Sequence, residues 1–101
     1  MVRILLVCSA GMSTSLLVTR MQKEAEKRGV DAEIWAVAEA NAAPELEKAD
    51  CMLIGPQVRF LLTKMQALDP NKPVQVIDMA TYGMMDGSKV LDQALTLLGK
   101  N

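Results

Sequence analysis

The sequence predicts an α/β fold in which one open, parallel sheet of four strands is covered by helices on both faces. Four short apolar or β-branched runs alternate along the chain with stretches of helical periodicity, a pattern typical of right-handed crossovers between parallel strands. The first run is continuously apolar, as expected of a strand buried on both faces. Half of the 101 residues are hydrophobic, so we expect residues 1–101 to form a single domain.

The first half of the chain contains two predicted strands and the longest predicted helix. Val2–Val7 is the first strand. A helix over Ser13–Arg28 follows, because apolar residues recur four positions apart on one face and charged residues fill the other. Gly29 is a natural stop signal for this helix. Ala32–Val37 is the second strand, and Pro44–Lys48 suits a short helix.

The second half repeats the alternation. Cys51–Ile54 is the third strand, and Val58–Leu68 follows as a helix. Asp69–Pro73 is a turn that leads into the fourth strand, Val74–Ile77. A loop over Tyr82–Gly87 then precedes the last helix. One face of that helix consists of Val90, Leu91, Ala94, Leu95 and Leu98.

Composition excludes several function classes. The net charge is −1 and no run of Lys and Arg forms a basic stripe, so we expect no nucleic-acid partner. The apolar start is interrupted by Arg3 and is too short for a membrane helix or a signal peptide, which predicts a soluble cytoplasmic protein without direct membrane insertion. Histidine is absent, so any nucleophile or phosphoryl acceptor must be another residue type. We expect no metal and no cofactor.

The predicted topology sorts the candidate residues between two rims of the sheet. Ligands of open α/β sheets bind beyond the carboxyl ends of the strands, an edge called the carboxyl rim below. Four segments are predicted there: Cys8–Ser15, Val37–Asn41, Gly55–Gln57 and Asp78–Tyr82. Asp50 and the Asp69–Pro73 turn fall on the opposite edge, the amino rim.

The segment after the first strand carries the strongest functional signal. It consists of Cys8, Ser9, Ala10, Gly11, Met12, Ser13, Thr14 and Ser15. Small residues allow several backbone N–H groups to point at one centre, and the following helix adds its unpaired amides and positive dipole end. The hydroxyls can cap the helix or donate to an oxyanion. The same environment favours the thiolate of Cys8, which predicts a nucleophile in an anion-binding loop.

Each candidate also has a purely structural interpretation. Cys8 could be an inert, buried thiol at a strand end, although the composition of its loop favours function. Cys51 begins a strand at the amino rim, where core packing is the better interpretation. Asp78 suits a helix cap. Tyr82 and Gly55–Gln57 either shape a crevice or docking surface or serve only turn geometry.

One further group of residues has a solvent-exposed interpretation. Arg20, Lys23 and Lys27 form a cationic helix face interleaved with acidic residues, and such faces are ordinarily solvated.

The sequence resembles the enzyme IIB components of the lactose/cellobiose family of sugar phosphotransferase systems over essentially its whole length. The long and specific segment is Leu6–Val18, which contains Cys8. Shorter segments in the same order reinforce it: Leu53–Gln57, Asn71–Val74, Ile77-Asp78, Tyr82-Gly83 and Asp86-Gly87. The match is strongest to the cellobiose and chitobiose branch.

This resemblance implies a phosphoryl relay. Cys8 would receive a phosphoryl group from a phosphohistidine on a IIA partner and pass it to a sugar, such as cellobiose or chitobiose, held by a membrane IIC partner. It also implies a three-layer fold similar to low-molecular-weight tyrosine phosphatases. We expect a monomer that visits the inner face of the membrane through IIC.

A cysteine-dependent phosphatase or arsenate reductase is the alternative from another class. The phosphatase signature has an Arg six residues after the cysteine, where its fork binds the phosphoryl oxygens, but this sequence has Thr14 there. The acid–proline pair of such phosphatases would have to be Asp69-Pro70, on the amino rim. A non-catalytic anion-binding or redox-sensing module is a third possibility and would form no phosphocysteine.

Overall fold

The structure, a computed structural model, describes residues 1–9 and 12–100, and for residues 12–14 it describes only the backbone. Four parallel strands form one sheet in the order β2-β1-β3-β4. Their bounds are Val2–Cys8 for β1, Ala32–Ala38 for β2, Cys51–Ile54 for β3 and Val74–Val76 for β4. The predicted open parallel sheet is therefore confirmed.

Helices cover both faces of this sheet. The helices are α1, Met12–Arg28; α2, Ala42–Leu46; α3, Leu62–Leu68; α4, Met79–Gly83; and α5, Gly87–Leu97. Short 3-10 segments, Glu39–Asn41 and Pro56–Leu61, precede α2 and α3. Helices α1 and α5 pack on one face, and α2 and α3 pack on the other. Within the described part of the chain, no helix has the length and apolar character needed to cross a membrane.

The core consists of two apolar layers separated by the sheet. Successive side chains of a strand point to opposite faces, so Ile4 and Leu6 pack with α1 and α5, whereas Leu5 and Val7 pack on the side of α2 and α3. All four side chains are fully buried. Burial on both faces explains why the first strand is continuously apolar in sequence.

Gly29 ends α1 as the sequence predicts. Its φ of +71° is a left-handed conformation that glycine adopts without steric cost. The Gly29 N–H donates to the carbonyl of Glu26, and the Val30 N–H donates to that of Ala25. These two bonds form a Schellman motif, which satisfies carbonyls at the end of the helix.

The predicted helix over Val58–Leu68 is wrong in its first half. Residues Pro56–Leu61 form a 3-10 segment, and Val58 has a non-helical backbone with φ −121° and ψ 29°. The α-helix begins only at Leu62. Leu68, the last residue of the predicted helix, is exposed, whereas Leu61 and Met65 are buried.

The predicted loop over Tyr82–Gly87 is also wrong. Tyr82 and Gly83 belong to α4, and Gly87 is the first residue of α5. The Asp86 carboxylate accepts a hydrogen bond from the Lys89 N–H at 3.1 Å and so caps α5. Only a short turn, residues 84–86, separates the two helices.

Candidate functional site

Cys8 lies at the point where β1 meets the first helix. It is the last residue of β1, one position beyond the predicted strand, and it pairs in register with Ala38. Its side chain is buried, with 2% exposure. Helix α1 begins at Met12, so its N-terminus belongs to the same rim of the sheet as Cys8. This arrangement brings a thiol and the positive end of a long helix to one rim.

The strand order reverses at β1, which has β2 on one side and β3 on the other. Such a switch point is where open α/β sheets form their ligand crevice. Gly55 follows β3 at this point, and its N–H donates to the carbonyl of Val7 at 2.8 Å. A Cβ on Gly55 would lie 3.0 Å from Gln57 Oε1 and 3.3 Å from the Val7 carbonyl oxygen. Glycine therefore allows the loop after β3 to lie directly against the strand that ends in Cys8.

A cavity of about 280 Å³ lies beside this contact. Its lining consists of Pro56, Gln57, Met79, Tyr82 and Gly83. The Tyr82 ring is buried, and its Cε2 lies 3.6 Å from the position a Gly55 Cβ would take. Met79, in contrast, is 63% exposed. The structure thus brings Gly55, Pro56, Gln57 and Tyr82 together, with Tyr82 as a buried wall.

Asp78 caps α4. Its Oδ2 accepts from the Thr81 N–H at 3.1 Å and from the Thr81 hydroxyl at 3.3 Å. The Asp78 carbonyl also accepts from the Tyr82 N–H at 2.9 Å. The Asp78 carboxylate is therefore bonded to the first turn of α4. Through these bonds Asp78 orients the helix that lines the cavity.

Most of the predicted phosphoryl-binding loop lies outside the described residues. This applies to Ala10 and Gly11 and to the side chains of Met12, Ser13 and Thr14. Ser9 and Ser15, at the two ends of the segment, are exposed. The described ends of the loop thus lie at the carboxyl rim, and its interior residues remain predictions from the sequence.

Cys51 lies at the other end of the sheet. It begins β3, pairs in register with Ile4 and is fully buried. Burial, with a further contribution from the Asp50 carboxylate, raises the pKa of the Cys51 thiol from 9.0 to about 12. A thiol with this pKa is protonated at neutral pH and is not a nucleophile.

A second cavity lies away from the carboxyl rim. It measures about 490 Å³ and lies between the end of α1 and the start of β2. Its lining includes the acidic residues Glu26, Asp31 and Glu33. Since parallel-sheet sites form at the carboxyl ends of strands, the smaller cavity near Cys8 is the better candidate.

Three residues around the site were not among the candidate site residues predicted from the sequence, although Met79 falls within the predicted rim segment Asp78–Tyr82. Met79 and Gly83 line the cavity, and Arg20 is not merely solvated, because its Nη1 donates to the carbonyls of Met85 at 3.1 Å and Met84 at 3.4 Å. The Asp78 cap signal could have revealed α4 and hence Met79. Nothing local in the sequence indicates the Arg20 contact, which spans 64 residues or more.

The chain is similar to known proteins over nearly its whole length. A family model described as "PTS system, Lactose/Cellobiose specific IIB subunit" matches residues 3–93. The oligo-beta-mannoside-specific EIIB component of Bacillus subtilis is 53% identical, with 97% of each chain covered. The galactose-specific and cellobiose-specific EIIB components of Lactococcus lactis subspecies cremoris and lactis are each 45% identical, with 94% of each chain covered.

Two solved structures are similar to nearly the whole chain. The cellobiose-specific IIB component from Borrelia burgdorferi has a TM-score of 0.79 at 39% identity, covering 95% of this chain and 90% of that one. The lactose-specific IIB component domain from Streptococcus pneumoniae has a TM-score of 0.83 at 17% identity, covering 94% and 95%. At 17% identity the second likeness concerns the fold alone.

Proposed function

Because the chain belongs to the lactose/cellobiose-specific IIB subunits of the sugar phosphotransferase system, we propose that Cys8 is the residue that carries the phosphoryl group. The chain is a phosphotransferase of this system and works with IIA and IIC components. The observation that carries the proposal is the position of Cys8 as the last residue of β1, at the rim where α1 begins. The sequence contains no histidine, so the phosphohistidine of the relay belongs to a partner.

The proposed chemistry has two displacements at phosphorus. First, the Cys8 thiolate attacks the phosphorus of a phosphohistidine on IIA, so that an S–P bond forms and the P–N bond breaks. Second, a sugar hydroxyl attacks the same phosphorus, so that an O–P bond forms, the S–P bond breaks and the thiolate is regenerated. The hydroxyl proton passes to a base on the IIC side, and the sugar leaves as its 6-phosphate.

The loop after Cys8 is proposed to stabilise the phosphoryl oxygens. Ser9–Ser15 offers backbone amides and hydroxyls, and α1 adds the positive end of a helix of 17 residues. Such neutral donors balance charge that accumulates on the three equatorial oxygens during transfer.

Both partners are proposed to dock on one surface of the carboxyl rim. IIA and sugar-loaded IIC must reach the same thiol, so their footprints have to overlap. Leu16 and Met79 are exposed apolar residues at this rim. Pro56, Gln57 and Tyr82 line the adjoining cavity, and Gly55 and Asp78 directly precede the lining residues Pro56 and Met79 in the chain. We propose that the protein is a cytoplasmic monomer that reaches the inner face of the membrane only through IIC.

The transported sugar is proposed to be a β-linked disaccharide, such as cellobiose or chitobiose. The oligo-beta-mannoside-specific and cellobiose-specific relatives support this class. The carrier does not need to hold the whole sugar, since the permease presents the acceptor hydroxyl.

The phosphatase alternative finds no support at the carboxyl rim. Thr14 stands where the phosphatase arginine would be. The Asp69-Pro70 pair precedes β4 at the amino rim, where the nearby Pro73 carbonyl accepts from the N–H of Met52 at the start of β3. An acid at that end of the sheet is separated from Cys8 by the length of the strands.

The test is to incubate the protein with phosphorylated IIA and to map the modified residue by mass spectrometry. Cys8→Ser should abolish phosphorylation, because the loop Ser9–Ser15 contains no side chain that can act as a base toward a serine hydroxyl. Cys51→Ser is the matched control and should remain fully phosphorylated. Phosphorylation of the Cys8→Ser variant, or its loss in folded Cys51→Ser, would refute the assignment.

A further inference from the structure

Arg20 connects the middle of α1 to the turn that follows α4. Its Nη1 donates to the carbonyls of Met85 and Met84 at 3.1 and 3.4 Å. Met85 has a φ of +51°, a left-handed conformation that is uncommon for a residue with a side chain. An arginine donor on adjacent carbonyls holds the turn in this unusual conformation.

The same turn is bonded to α4 through its own amides. The N–H groups of Met84, Met85 and Asp86 donate to the carbonyls of Ala80, Tyr82 and Thr81, at 3.0–3.1 Å. On the other side of the turn, Gly87 packs directly on the backbone of Arg20, where a Cβ would lie 2.6 Å from its carbonyl carbon. The position of α4 relative to α1 is therefore fixed through this turn.

Helix α4 in turn forms one wall of the site. Met79, Tyr82 and Gly83 line the cavity at the carboxyl rim. Tyr82 lies against Gly55, whose N–H is bonded to the Val7 carbonyl, one residue before Cys8. Because α1 also begins at this rim, Arg20 connects the helix that follows the phosphoryl loop to the helix that lines the cavity.

We propose that Arg20 is a positioning residue for phosphoryl transfer, which holds α4 in place for the incoming partner through the turn at Met84 and Met85. The inference rests on the proposed function, since it concerns transfer at Cys8. Helix α4 contributes the exposed Met79 to the docking rim, whereas the phosphoryl loop belongs to the start of α1. Loss of the Arg20 contact should therefore weaken docking and leave the chemical step intact.

Arg28 provides a matched control on the same helix. It bonds to Glu24 at 2.8 Å, to Asp92 at 2.6 Å and to the Ser88 hydroxyl at 2.7 Å. The contacts with Asp92 and Ser88 tie α1 to α5, the contact with Glu24 lies within α1, and none of the three involves α4 or the turn before α5. Arg28 thus makes more polar contacts than Arg20 but is not connected to the carboxyl rim.

The experiment measures initial rates of Cys8 phosphorylation against the concentration of phosphorylated IIA, together with urea unfolding. For Arg20→Met, which keeps an unbranched side chain but loses the donors, KM for IIA should rise about tenfold with kcat nearly unchanged. Arg20→Lys retains a donor for the two carbonyls and should restore most of the loss. Arg28→Met should lower stability at least as much as Arg20→Met and keep KM within about twofold of wild type.

A wild-type KM in folded Arg20→Met would overturn the inference, as would an equal rise in Arg28→Met. Amide exchange at Thr81–Asp86 reports the same outcome independently, because it should accelerate in Arg20→Met only. Failure of the proposed function is distinguishable, since in that case the wild-type protein itself would not be phosphorylated on Cys8.

Discussion

Cys8 and Cys51 lie at opposite ends of the sheet, because Cys51 pairs in register with Ile4 and Cys8 ends the same strand as Ile4. Both thiols are buried. They differ in what surrounds the end of the strand: Cys8 is at the rim where α1 begins, whereas Cys51 lies next to the Asp50 carboxylate. Burial and the Asp50 carboxylate disfavour the thiolate of Cys51, whereas the positive end of α1 lies at the rim of Cys8.

Cys51 should resist alkylation in the folded protein. In a Cys8→Ser variant, where Cys51 is the remaining thiol, iodoacetamide at pH 8 should react only as fast as the protein unfolds, because the pKa of Cys51 is raised to about 12. Mass spectrometry in the absence and presence of urea measures this. Fast alkylation without urea would contradict the burial of Cys51.

The same pKa predicts a loss of stability at alkaline pH. The unfolded thiol ionises near 9.0 but the folded thiol only near 12, so the unfolded state releases a proton first. This contribution is fully present below pH 9 and is lost between pH 9 and about 12, with a slope of up to about 1.4 kcal/mol per pH unit. Urea unfolding of wild type and Cys51→Ala across this range should show the steeper decline in wild type; parallel curves would argue against it.

Gly87→Ala should destabilise the protein by about 1–3 kcal/mol. A Cβ at this position would lie 2.6 Å from the Arg20 carbonyl carbon and 2.8 Å from both the Arg20 Cβ and the Met21 backbone nitrogen, so that α1 and α5 would have to move apart. Gly83→Ala is the control. Apart from its chain neighbours and the backbone of its own helix, no described atom lies within 4 Å of the position of a Gly83 Cβ. The change should therefore be neutral or stabilising by up to about 1 kcal/mol. Urea unfolding compares them, and equal stability of the two variants would rule out the close contact.

Asp78→Ala should lower the free energy of unfolding by about 0.5–2 kcal/mol, because the carboxylate caps α4 through the N–H of Thr81. Asp78→Asn keeps an acceptor oxygen and should lose much less. Amide exchange at Thr81 locates the effect and should accelerate in Asp78→Ala. Unchanged exchange at Thr81 would show that the cap does not hold α4.

The phosphorylated protein should keep its phosphoryl group in the absence of a sugar acceptor. Transfer to water requires a group that activates water, and the proposed loop offers neutral amides and hydroxyls, with Thr14 in place of an arginine. Phosphate release should be slow for purified phosphoprotein and fast with sugar-loaded IIC membranes. Rapid aryl-phosphate turnover that disappears in Cys8→Ser would instead identify a phosphatase.

The sequence by itself determined the four strands, their parallel direction and the rim of the sheet that carries Cys8. Strands buried on both faces must be continuously apolar, and helices between them require parallel crossovers, so the pattern of hydrophobicity is sufficient. Cys51–Ile54 was predicted with its observed bounds, and Gly29 ends α1 as expected. Local chemistry also identified Asp78 as a cap.

Only the tertiary structure decided how the walls of the crevice are built. Helix α4 has five residues, too few for a periodic signal, and it exists because Asp78 caps it and Tyr82 is buried in the core. The Val58 kink and the contact of Arg20 with Met84 and Met85 likewise depend on packing between distant segments. Periodicity records which residues are buried within one element, whereas these features arise from the spatial relation between elements that no local pattern encodes.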